Sequence, residues 1–126
     1  MLGIPAKGFF NLKIMVVEIK KVKITKSIFN QLTGPLLDTD SNYEVLGWVF
    51  DKGKYILLYN KETNSLAKMR TFSNLRIDPD KTNQALFTIS GLNTLKPFPT
   101  SQDAMKWCAQ INIIQTEANL KGQLYI

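Results

Sequence analysis

From residue 43 to residue 70 the chain runs on a hydrophobic period of two, interrupted by two polar turns. Tyr43, Val45, Gly47 and Val49 alternate with Glu44, Leu46, Trp48 and Phe50, and after Asp51-Lys52-Gly53 the residues Tyr55, Leu57 and Tyr59 alternate with Ile56 and Leu58. A two-residue period sends successive side chains to opposite faces of a strand, and the glycine offers the turn a residue that accepts positive φ. The pattern predicts a hairpin, and Lys61-Glu62-Thr63-Asn64 turns it into a third strand over residues 65–70, making a meander. Both faces of the middle strand are apolar or amphipathic. Both are therefore expected to be covered, one by helices and the other by a loop, a terminus or a partner.

A second rhythm marks the C-terminal third. Ala104, Trp107, Cys108, Ile111, Ile114 and Ala118 recur at spacings of three and four, which is the buried stripe of an amphipathic helix. Thr100 is placed to cap its start with Asp103 three residues on, and Gly122 is placed to stop it after about Leu120. A shorter helix is predicted over residues 26–32, capped by Thr25, with Ile28, Phe29 and Leu32 on one side and Gly34-Pro35 as its end. At barely two turns it depends on burying that side against the sheet.

The remaining segments are shorter or less regular. Residues 85–89 read as a strand ending near Gly91, residues 72–80 as irregular with Asp78-Pro79-Asp80 as a breaker, and residues 92–99, with two prolines, as a connection. Residues 123–126 read as a last edge strand or a frayed end. In the N-terminal part, Val17 and Ile19 alternate with Glu18 and Lys20, and Val22 and Ile24 alternate with Lys21 and Lys23, with a phase slip at Lys20-Lys21. That slip predicts a β-bulge or two separate short strands. Strands joined by short turns pair antiparallel. The expected fold is α+β: a small antiparallel sheet, a meander of four to six strands, packed by one long C-terminal helix and one short helix. Residues 1–13 read as an N-terminal extension and residues 14–126 as a single domain, a division suited to a chain of 126 residues.

Composition narrows the chemistry. The chain has no His and one Cys, Cys108. The commonest general acid/base, the Ser-His-Asp and Cys-His pairings, an intramolecular disulfide and the usual Cys/His metal sites are thereby removed. The expectation is a non-enzymatic binding protein with no cofactor and no metal. Cys108, on the apolar stripe and eight residues past the helix cap, is expected to be buried and inert. Asp38/Asp40 and Asp78/Asp80 are carboxylate pairs among turn residues, and turn formation explains them better than ion binding. No apolar run approaches the length of a membrane-spanning helix and no secretory leader is evident, so no membrane partner and a cytoplasmic location are expected.

Charge supplies the functional hint. The net charge is +6, and residues 1–26 hold six Lys against one Glu. Lys13, Lys20, Lys21, Lys23 and Lys26 could track a phosphate backbone, and Lys52, Lys54 and Arg70 lie beside strand aromatics, of which Tyr55 and Tyr59 are the candidates for base stacking. Arg70 and Arg76 are the chain's only arginines, so contact with DNA or RNA would be non-sequence-specific. The main reading is a basic, nucleic-acid-associated accessory module. The competing reading is a protein-interaction or regulatory domain, including self-association, that uses an exposed aromatic sheet face or a free sheet edge.

Overall fold

The computed structural model of the chain describes residues 23–35, 37 and 42–126. In chain order these contain α1 (Lys26–Gln31), β1 (Tyr43–Phe50), β2 (Lys54–Asn60), β3 (Ser65–Arg70), β4 (Asn74–Ile77), β5 (Gln84–Ile89), β6 (Leu92–Pro97) and α2 (Ser101–Lys121). The strands form two three-stranded antiparallel meanders, β1-β2-β3 and β4-β5-β6. The fold is α+β with one long C-terminal helix and one short one, as the periodicities predicted, and its six strands are divided between two sheets.

Helix α2 is the seam between those sheets. Its buried residues are Ala104, Trp107, Cys108, Ile111, Ile114 and Ala118, the full stripe read from the sequence. They pack with Val45, Ile56, Leu58 and Met69 of the first sheet and with Ala85 of the second. Thr100 Oγ1 accepts a hydrogen bond from the Asp103 amide at 3.2 Å and donates to the Asp103 carboxylate at 3.0 Å. The cap thus differs from a reciprocal capping box: the shorter Asp arm meets the Thr hydroxyl, where a Glu would reach the backbone amide.

Helix α1 covers the other face of the first sheet. Ile24, Phe29, Val49 and Leu57 form a second buried cluster, joined by Ile28, Leu32, Tyr55, Leu66 and Leu124. Thr25 caps the helix through its hydroxyl, which accepts from the Ile28 amide, and Leu32 in an extended conformation ends it two residues before Gly34. Lys68 of β3 reaches across to donate to the Phe29 carbonyl at 3.0 Å, while its ammonium lies 4.3 Å from the centre of the Phe29 ring. This fastens the helix C-terminus, where a cation is electrostatically favoured. The middle strand is consequently buried on both faces, with Ile56, Leu57, Leu58 and Tyr59 all at 0–1% exposure.

Strict alternation in β1 fails at one point. The β1–β2 register passes from Val45↔Leu58 to Gly47↔Leu57, so a β-bulge accommodates Leu46. Beyond it the phase is inverted: Trp48 joins Val45 on the α2 side, and Val49 joins Leu46 on the α1 side. The expected common face of Val45 and Val49 is therefore corrected, since one extra residue reverses every later side chain.

The second sheet was the least legible part. Residues 74–77 form β4 although its alternation lasts only four residues, and residues 92–97 form β6 although all six are exposed and Leu92 and Leu95 do not follow a two-residue period. Pro97 is tolerated because it closes an edge strand. Ser90 and Gly91, both at positive φ, make the two-residue turn between β5 and β6. The extension expected at residues 1–13, the strand or strands expected in the N-terminal part as far as residue 22, and residues 38–41 lie outside the described residues; Lys23 and Ile24, read as the end of that strand pattern, belong to no strand and lead directly into α1.

Candidate functional site

The described residues enclose a cleft of about 390 Å³ where the two sheets meet α2, lined by Pro35, Leu37, Met69, Phe72, Lys96, Trp107 and Ile111. Each wall comes from a different part of the chain. Met69 is an inward residue of β3, Trp107 and Ile111 come from the α2 stripe, and Lys96 stands on the edge strand β6. Phe72 lies in the short link between the sheets, where its amide donates to Gln115 Oε1 of α2 at 2.6 Å. That bond fixes the link to the helix and with it the angle at which Phe72 enters the cleft.

Trp107 is the hub of an aromatic cluster. Its ring centre lies 6.0 Å from Phe72, 5.8 Å from Phe87 and 5.5 Å from Phe98, and Phe72 meets Phe87 edge-on at 5.0 Å. These separations fall in the range where aromatic pairs add stability beyond the area they bury. Trp107 is buried, whereas the three phenyl rings are half-buried. Lys96 places its ammonium 5.6 Å from the Phe98 centroid and 5.7 Å from that of Trp107, close enough for cation–π attraction. It is the one charged residue among the described lining of the cleft. An apolar chamber with a single cation over its aromatic wall suits an apolar group that carries, or sits beside, negative charge.

The residues expected to touch nucleic acid are scattered. Lys13, Lys20 and Lys21 lie outside the described residues, and Lys23 is exposed just before α1. Lys26 is held 2.9 Å from Asp51. Lys54 donates to Asn119 and lies 4.4 Å from the centre of the Trp48 ring. Arg70 donates to the Lys52 carbonyl at 3.3 Å and lies 5.5 Å from the Tyr55 centroid. Lys52 itself occupies the β1–β2 turn at positive φ. Among the described members, Lys26, Lys54 and Arg70 thus have partners within the fold.

The aromatics do not assemble as a stacking platform. Tyr59 is at 0% exposure and its hydroxyl donates to Asn64 Oδ1 at 2.9 Å, so it offers no face to a base. Tyr55 is half-buried and meets Phe29 edge-on at 5.4 Å. Trp48 pairs with Ile56 while Tyr55 pairs with Val49, so the register next to the hairpin turn sends Trp48 and Tyr55 to opposite faces of the sheet. The aromatic concentration lies instead at Phe72, Phe87 and Phe98 around Trp107. Of these only Trp107 was legible, as a stripe residue, because the others reach the cluster from segments that share no periodicity.

Other chemistry is sparse. Asp78 Oδ1 accepts from the Asp80 amide at 3.2 Å, which makes this carboxylate part of a turn. Among the described residues no three His, Cys, Asp or Glu side chains are grouped to hold a metal ion, and no helix is long and apolar enough to cross a membrane. Cys108 is buried, and burial pushes its thiol pKa up from the ordinary 9.0. No protein-family model, curated protein or solved structure matches the chain.

Proposed function

We propose that this chain is a protein-interaction domain whose cleft between the two sheets receives an apolar side chain of a partner, next to an acidic group that meets Lys96. The observation that carries this reading is the aromatic cluster of Phe72, Phe87 and Phe98 around Trp107, of which Phe72 and Trp107 line a cavity with one cation at its wall. Anchoring of one side chain in a preformed aromatic pocket is a common source of binding energy at protein interfaces. Binding, without bond making or breaking, is the activity proposed. The nucleic-acid reading has weaker support, because several of its described cations already engage neighbours within the fold.

A random peptide library displayed on phage, panned on the wild-type protein and counter-selected on Phe72→Ala, tests the proposal. Recovered peptides should share an aromatic or aliphatic anchor beside Asp or Glu, and Lys96→Glu should weaken them at least about tenfold. Peptides held equally well by the Phe72→Ala protein would refute the cleft as the site. Salt-sensitive retention of short oligonucleotides, with no peptide enrichment, would restore the nucleic-acid reading.

A further inference from the structure

Helix α2 has a second, largely apolar face opposite the one it buries, with Gln102 and Thr116 as its polar members. Met105, Ala109, Ile113, Thr116 and Leu120 lie within an arc of about 80° when successive residues are placed about 100° apart. All five are exposed, and Met105, Ile113 and Leu120 are open to 51%, 58% and 82%. No charge interrupts this arc; the nearest charged residues, Lys106 and Glu117, both stand on the same flank of it. They are separated by eleven residues, which is about three turns or 16.5 Å along the axis. Among the described residues neither makes an ion pair.

We infer that this face pairs with the same face of a second copy of the chain, with the two α2 helices antiparallel. In a two-fold pairing each contact occurs twice, so a residue on one flank meets a residue of the same flank in the other copy. The register that sets Lys106 against Glu117 of the second copy also sets Glu117 against Lys106 of that copy. Two ion pairs therefore flank one apolar seam. In that register the apolar side chains of one helix fall at heights between those of the other, so Ile113 and Ala109 interleave with their counterparts across the two-fold axis. A parallel pairing brings opposite flanks together and leaves both charges without an opposite partner. The charge pattern thus selects a copy of this helix and one orientation of it. The cleft lies against the other side of α2, so this inference stands independently of the proposed function.

Sedimentation equilibrium over a concentration series tests it, using the full chain and the variants Lys106→Glu, Glu117→Lys and Ile113→Asp. All three positions are exposed, and circular dichroism checks that each variant folds. The wild-type protein should dimerise, and Ile113→Asp should raise the dissociation constant about tenfold or more. Lys106→Glu and Glu117→Lys should each weaken self-association. Mixed one to one, the same two variants should form a heterodimer, because every flank contact then joins opposite charges, and a merely structural effect of either substitution gives no such rescue. A wild-type protein that stays monomeric at millimolar concentration overturns the inference. So does a dimer that is indifferent to Ile113→Asp, or a mixture no tighter than the separate variants.

Discussion

Leu124 leaves no room for a side chain at Gly47. A Cβ on Gly47 would stand 2.9 Å from the Leu124 Cγ and 2.8 Å from the Gly122 carbonyl oxygen. The contact exists because the segment after α2 docks on the edge of β1: the Trp48 amide donates to the Gly122 carbonyl at 3.1 Å, and the Leu124 amide donates to the Trp48 carbonyl at 2.7 Å. Gln123 forms a single parallel bridge with Trp48 where a terminal strand or a frayed end was expected. Gly47 also sits at φ +147°, a conformation that side chains disfavour. Gly47→Ala should therefore lose about 2–4 kcal/mol in urea denaturation, combining backbone strain with overpacking. Hydrogen exchange at the Leu124 amide should accelerate by more than global destabilisation accounts for.

Lys68 should matter more than an ordinary strand lysine. It satisfies the Phe29 carbonyl and covers the Phe29 ring, and its own amide donates to the Thr33 carbonyl at 3.1 Å. Lys68→Met keeps the aliphatic stem but removes the charged donor, and a hydrogen bond from a charged group contributes about 1.5–3 kcal/mol. Because this site is partly open to water, a loss of about 1 kcal/mol is expected, with increased exchange at the α1 amides and none at those of α2. Equal effects on both helices would contradict a local fastening role.

Ile111 lies at 0% exposure where α2 meets the sheets and the floor of the cleft. Truncation to Ala should cost about 2–5 kcal/mol, since lost burial and a new cavity act together. Thr100→Ala, which removes only the cap, should cost about 1 kcal/mol and leave the denaturant dependence of unfolding unchanged. Comparable losses in the two variants would mean that the stripe contributes less than its burial implies.

Cys108 gives a pH signature of defined sign. Burial raises its folded-state pKa above the ordinary 9.0, so the folded protein holds the proton after the unfolded chain has released it. The corresponding stability is fully present below pH 9.0 and is lost as pH rises through the folded value. Cys108→Ser would introduce a hydroxyl into the same apolar setting, so Cys108→Ala is the better reference. The difference in stability between wild type and Cys108→Ala should shrink above pH 9 and stay constant between pH 6 and 8, as read by urea titration. At neutral pH the thiol should react with a disulfide reagent only as fast as the protein opens.

The two helices, the first meander and the long apolar stripe were legible because each rests on a periodicity confined to a few consecutive turns or strand residues. Helix α2 buries the six residues its three-and-four spacing named, and the tyrosines and leucines of β2 are covered on both faces as their two-sided apolarity required. The second sheet was read in only one strand. β4 is too short to show a period, and in β6 the apolar Leu92 and Leu95 stand three residues apart, which breaks a strand's period of two.

The candidate site was hidden for a related reason. Phe72, Phe87, Phe98 and Trp107 belong to four separate segments, and no local spacing announces that they converge. The bulge at Leu46 was equally silent, yet it decides that Val45 faces α2 with Trp48 while Val49 faces α1. Sequence by itself determined which stretches seek burial, because hydrophobic period and capping chemistry act over neighbouring residues. Only the tertiary structure decided which buried faces meet, how the strands divide into two sheets, and that an aromatic-walled cleft opens between them, because those outcomes depend on packing among residues far apart in the chain.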